Sequence, residues 1–117
     1  MYTFYHYPRC STCVKAKKWL NEQGIEYQAI DLSANPPNID ELKSIHENSN
    51  KVIKALFNTS GQSYRNGGFK DRLAKMSDEE KFSELAADGM LIKRPILVGA
   101  SNSLIGFKLP EWEALLG

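Results

Sequence analysis

The residues Tyr2, Thr3, Phe4 and Tyr5 form a short aromatic and β-branched run that suits a buried strand, and Tyr7-Pro8 breaks it. The rhythm then changes. From Ser11 to Gln23 the apolar positions Cys13, Ala16, Trp19 and Leu20 recur at three- and four-residue spacing, which predicts one helical face, and Gly24 stands where a C′ glycine is expected. Glu26 to Leu32 predicts a second strand, with Tyr27, Ala29 and Ile30 as its apolar residues. Strand, helix and strand in such close succession make a βαβ unit, whose strands run parallel through a right-handed crossover.

Asn35-Pro36-Pro37 ends that unit, and between Asn38 and Met90 the pattern is helical with no convincing strand. Asn38 caps a helix that turns Ile39, Leu42 and Ile45 to one side. A short apolar piece, Val52 to Phe57, precedes the loop Asn58-Thr59-Ser60-Gly61 and the flexible pair Gly67-Gly68. Phe69 to Met76 is expected to be helical. Ser77-Asp78-Glu79-Glu80 is a capping box for a further helix, with Phe82, Leu85 and Ala86 inward and Gly89 as its stop. Sheet returns in Pro95 to Val98 and, after a turn through Gly99 to Asn102, in Ser103 to Phe107, a β-hairpin. Glu111 to Leu116 closes the chain as a short helix with Pro110 near its first turn. The order βαβ, helical insert, ββα predicts an α/β fold with a mixed four-stranded sheet.

Composition narrows the function. The 117 residues suit one domain with a single core, and 42% hydrophobic with 25% charged residues is ordinary for a globular protein. A net charge of +1 argues against nucleic-acid binding driven by a basic excess. The start Met-Tyr-Thr-Phe-Tyr-His carries no secretory signal, and no apolar run is long enough to span a bilayer, so a cytoplasmic location is expected.

In that compartment a cysteine pair is catalytic or sensing rather than a structural staple. Cys10 and Cys13, the only cysteines, are two residues apart at the predicted strand-to-helix junction. Cys10 falls at the helix N-terminus, where unpaired N–H groups and the macrodipole favour a thiolate, the reactive form. Thiols so placed fall to roughly 3.5–7.5 from about 8.5. Cys13 lies one turn on, within disulfide reach. Ser11 and Thr12 offer hydroxyl and backbone donors to Cys10, and Arg9, Lys15, Lys17 and Lys18 add positive charge with no acid before Glu22. Half of a zinc site and a pair of inert buried thiols are the alternatives. Only His6 and His46 could complete a metal set and they lack paired spacing, so no metal is expected and a redox pair is favoured.

Taken together, Tyr5-His6-Tyr7-Pro8-Arg9-Cys10 with Ser11-Thr12-Cys13, Pro36-Pro37 before Glu41-Leu42, Leu56-Phe57-Asn58-Thr59, and Ile92-Lys93-Arg94-Pro95-Ile96 resemble the ArsC/Spx family of thioredoxin-fold proteins. The resemblance spans essentially the whole chain. It implies a thioredoxin-like core in residues 1–34 and 91–117, with an all-helical insertion in 35–90 between the second and third strands. It also implies a cis Arg94-Pro95 peptide facing the cysteine loop, with Arg94 directed towards Cys10, where a guanidinium suits an oxyanion or a thiolate. His6 corresponds to a histidine upstream of the nucleophile and either orients the loop or simply packs.

Three activities follow from the resemblance. Arsenate reductases of the family use one nucleophilic cysteine and three arginines; Cys10 and Arg94 match, but Asn58 and Lys108 stand where the other two are expected, so the bidentate forks are lost. Spx-type members carry a Cys-x-x-Cys switch and bind RNA polymerase, here by implication its alpha subunit, though the chain ends at Gly117 without the longer basic extension associated with Spx proper. The leading expectation is a thiol–disulfide oxidoreductase in which Cys10 attacks and Cys13 resolves. It requires no cofactor; reducing equivalents would come from a thioredoxin- or glutaredoxin-type partner or a low-molecular-weight thiol, and a protein disulfide is the alternative partner. Ser11, Thr12, Asn58, Pro95 and Lys108 are the expected substrate contacts beside Cys10, Cys13 and Arg94. Trp19 and Trp112 are expected in the core or at its edge, His46 exposed, and Lys15, Lys17 and Lys18 on a solvated face.

Overall fold

A computed structural model describes residues 1–116. Strands β1 (Tyr2–His6), β2 (Tyr27–Asp31), β3 (Ile96–Val98) and β4 (Ser103–Ile105) form one sheet in the order β2-β1-β3-β4. β1 and β2 are parallel, joined through α1 (Ser11–Glu22), whereas β3 runs antiparallel to both β1 and β4. Between β2 and β3 lie α2 (Ile39–Ser49), α3 (Gln62–Asn66), α4 (Phe69–Arg72) and α5 (Asp78–Ala87), with 3₁₀ turns at Ile53–Leu56, Leu73–Lys75 and Gly89–Leu91. α6 (Leu109–Leu116) follows the hairpin. This is the expected thioredoxin-like arrangement with a helical insertion between the second and third strands.

The two-residue alternation of the strands divides the core between two faces. Phe4, Leu97 and Leu104 pack against Ala16 and Leu20 of α1 and Trp112 of α6. Tyr5, Ile96 and Ile105 face Leu42, Ile45, Phe82 and Leu85 of the insertion. Trp112 is fully buried and Trp19 half-buried, in edge-to-face contact at 6.1 Å, so both sit where their helical faces placed them.

Several local expectations are corrected. Ala29 is exposed, because β2 is an outer strand and Leu32, just past its end, carries the burial instead. The helix expected over Phe69 to Met76 breaks after Arg72 into a 3₁₀ turn. The last strand stops at Ile105 rather than Phe107: Gly106 turns to φ +74°, donates its N–H to Pro95 and accepts the Trp112 indole N–H at 3.0 Å. Gly89 does not end α5 by a left-handed turn. Asp88 closes that helix, and Gly89 is required because a Cβ there would overlap the Leu32 carbonyl. His46 is half-buried against Phe82, with ring centroids 5.9 Å apart, because the insertion folds α5 over α2. Within the insertion Phe57 also forms a single antiparallel bridge with Ile92, which brings the 56–58 segment alongside the approach to β3.

Candidate functional site

β1 delivers the chain to the cysteine loop, and Cys10 is the N-cap of α1 in extended conformation (φ −83°, ψ 118°). A cysteine rarely serves as a cap; here its Sγ accepts the Cys13 N–H at 3.4 Å, taking the position of a serine or aspartate oxygen. The sulfur therefore faces unpaired helix N–H groups. Cys13 is buried at 1% exposure on the face of α1 against the sheet, whereas Cys10 is half-buried, and both thiols are free.

That difference separates their acidities. Burial is the largest influence on Cys10 and opposes ionisation. Hydrogen bonds from the Cys13 thiol and N–H, the Arg94 charge and the Thr12 N–H more than offset it, so the Cys10 thiol lies below its ordinary range. Burial pushes Cys13 up to about 12 against a hydrogen bond with the Tyr7 backbone, the next largest influence; its hydrogen bond to Cys10 and the Cys10 charge add to the rise, and Arg94 opposes it least. One sulfur is held ready to ionise, and its neighbour keeps its proton.

Arg94 reaches the site because Ile96 pairs with Tyr5, so the same register carries Arg94 beside Tyr7. The Arg94-Pro95 peptide is cis and Pro95 is buried. The guanidinium lies over the Tyr7 ring at 5.3 Å and donates Nη1 to the Met90 carbonyl at 3.3 Å, leaving Nε buried without a partner. Tyr7 as a platform for Arg94 was not singled out in the sequence; the available signal was an aromatic ring directly before Pro8-Arg9-Cys10.

The remaining expected residues divide. Thr12 contributes its backbone N–H, while the Ser11 and Thr12 side chains are exposed and make no hydrogen bond among the described residues. His6 stacks on Phe4 at 5.3 Å; burial, with the Lys17 charge, lowers its pKa against a weaker pull from Asp31. Asn58 is half-buried beside Leu91, bonded through its N–H to the Leu91 carbonyl and through Oδ1 to the Ser60 hydroxyl at 3.4 Å. Lys108 is exposed, and its carbonyl receives the first N–H groups of α6. No described hydrogen bond or ion pair joins Asn58 or Lys108 to Cys10 or Arg94. No group of three or more His, Cys, Asp or Glu suited to a metal occurs among the described residues, and none of their helices is long and apolar enough to cross a membrane.

A mixed four-stranded sheet in the order β2-β1-β3-β4, with a cysteine pair where β1 gives way to α1 and a helical insertion before β3, places the protein in the thioredoxin-like class. Within it the chain belongs to the ArsC family, whose model matches residues 5–115. The chain is 47% identical over 111 residues to the uncharacterized protein YusI of Bacillus subtilis strain 168, covering 95% of this chain and 94% of that one. It is 32% identical over 109 residues to the regulatory protein MgsR of the same organism, covering 93% and 85% respectively. Among solved structures, a possible arsenate reductase from Streptococcus mutans UA159 superposes with a TM-score of 0.88 at 46% identity, over 97% of this chain and 98% of that chain.

Proposed function

We propose that the protein is a thiol–disulfide oxidoreductase of the ArsC family, working through the Cys10/Cys13 dithiol in the cytoplasm. The observation that carries this reading is the placement of the pair: Cys10 Sγ caps α1 and accepts the Cys13 N–H at 3.4 Å, with Cys13 buried one turn on. The Cys10 thiolate attacks one sulfur of a substrate disulfide; that S–S bond breaks, and the departing thiolate takes up a proton. Cys10 is then part of a mixed disulfide and has lost its negative charge. Two of the influences that keep Cys13 protonated vanish with that charge, so Cys13 ionises more readily. Its thiolate attacks Cys10, releases the second substrate thiol and leaves a Cys10–Cys13 disulfide. A thioredoxin- or glutaredoxin-type partner or a small thiol returns both cysteines to the reduced form.

The test is turnover of a disulfide substrate with trapping. Cys10→Ala should abolish turnover, and Cys13→Ala should accumulate a mixed disulfide on Cys10 visible by intact mass. Undiminished turnover in either variant would end the dithiol reading.

Similarity to MgsR supports a second reading, in which the same pair is a redox switch on a regulator that binds RNA polymerase through its alpha subunit. Capture of that subunit in only one redox state, without substrate turnover, would favour it. Arsenate reduction is less well supported: one guanidinium, Arg94, serves the thiol, and the residues at the other two expected positions are Asn58 and Lys108.

A further inference from the structure

Arg94 is held by fewer polar contacts than its place beside the thiol would suggest. Among the described residues no carboxylate pairs with it and its Nε is buried without a partner. Its side chain donates a single hydrogen bond, from Nη1 to the Met90 carbonyl, and that bond is long at 3.3 Å. An arginine side chain has many rotamers, and one long hydrogen bond does not select among them. The remaining contact is the Tyr7 ring, whose centroid lies 5.3 Å from the guanidinium carbon. An electron-rich ring face attracts a cation at that distance, more strongly where water is excluded.

Tyr7 is in turn fixed to Cys10. Its carbonyl accepts the Cys10 N–H at 2.9 Å, closing a four-residue turn with Pro8 in second place, where proline is favoured. Proline also confines the residue before it to extended backbone. Ring and cysteine therefore sit at the two ends of one short, stiffened turn, and Cys10 Sγ is itself held by the Cys13 N–H. The Tyr5 and Tyr27 hydroxyls donate to Glu41 and Asn21, whereas the Tyr7 hydroxyl makes no hydrogen bond among the described residues. The face of the Tyr7 ring is what the site uses.

We propose that Tyr7 is a positioning residue of the dithiol exchange: the turn sets its ring relative to Cys10, and the ring sets the Arg94 guanidinium towards the sulfur. The inference rests on the dithiol reading above and adds the residue that assembles its site. Few other charges compete. The groups acting on the Cys10 thiol are Cys13 and the Thr12 N–H of α1 and Arg94 from the segment entering β3; Arg9, next to it in the chain, is exposed. Lys17 and Asp31 act on His6 instead. Loosening Arg94 should therefore show in the pH at which Cys10 ionises.

The test is the pH profile of Cys10 alkylation by iodoacetamide in the full chain, with Cys13→Ala as background so that one thiol is read. Tyr7→Leu keeps apolar bulk without the ring face and should move the profile to higher pH, in the direction of Arg94→Ala. Tyr7→Phe keeps the face and should stay with the parent. In the Arg94→Ala background Tyr7→Leu should add no further shift, since the group it positions is gone. Fluorine atoms placed on the Tyr7→Phe ring weaken its face with little change of shape, so each addition should move the profile further. This series carries the test if thermal unfolding shows that Tyr7→Leu does not fold. An unmoved profile for Tyr7→Leu or across the fluorinated series would overturn the proposal. So would equal shifts for Tyr7→Phe and Tyr7→Leu, or an undiminished Tyr7→Leu shift without Arg94. Alkylation needs no disulfide substrate, so failure here leaves the dithiol reading intact. Failed turnover beside the expected profiles would end that reading and leave Tyr7 as the group that aims Arg94 at Cys10.

Discussion

Arg94 shows how much one side chain does through position. Its charge lowers the Cys10 thiol although no hydrogen bond joins them, and it is held in place by the Tyr7 ring and the Met90 carbonyl. Removing it as Arg94→Ala should raise the Cys10 pKa. A smaller thiolate fraction reacts more slowly, so iodoacetamide alkylation of Cys10 at neutral pH should slow. Arg94→Lys, which keeps the charge without the planar fork, should recover part of the loss. In Cys10→Ala the remaining Cys13 is still held up by burial, so it should resist alkylation until strongly alkaline pH, whereas Cys10 in Cys13→Ala reacts at lower pH. Superimposable alkylation profiles for the two single-cysteine variants would contradict the assignment. The pair itself was plain in the sequence; that Arg94 faces it came only through the family resemblance, because residues 10 and 94 meet across the sheet.

The helices of the insertion depend on their caps. Asn38 accepts the Glu41 N–H at 2.8 Å while Glu41 returns a carboxylate oxygen to the Asn38 N–H, and Ser77 and Glu80 repeat the arrangement. Both N-termini were readable from sequence, since a cap is made by residues within one turn of each other. Ser77→Ala should cost about 1 kcal/mol in urea unfolding and leave Cys10 reactivity unchanged. Glu41 also accepts the Tyr5 hydroxyl at 3.5 Å, tying the start of α2 to β1; burial and the Glu41 charge raise the Tyr5 pKa. The break after Arg72 was not legible. The run from Phe69 to Met76 has helical spacing, and Phe69, Leu73 and Met76 all meet the larger core cluster, yet after Arg72 the backbone tightens into a 3₁₀ turn that this spacing does not signal.

At the scale of the molecule, insertion and sheet are locked where the chain returns to β3. Lys93 donates to the Leu56 carbonyl at 2.7 Å, and Gly89 lies against the Leu32 backbone. Gly89→Ala should force these apart and cost roughly 1–3 kcal/mol. Gly24→Ala, at φ +68° with open space around its Cβ, should cost about 1 kcal/mol from backbone strain alone. A smaller loss at Gly89 than at Gly24, measured by thermal unfolding, would contradict the close approach. By itself the sequence determined the element order, the cysteine pair at a helix start, the Asn38 cap, the Ser77–Glu80 capping box and the helical faces of Trp19 and Trp112, because each is set by residues near one another along the chain. Only the tertiary structure decided that Tyr7 carries Arg94, that Gly89 serves contact rather than a turn, and that His46 is covered. Those outcomes join residues far apart in sequence, and no local periodicity encodes which distant surfaces will meet.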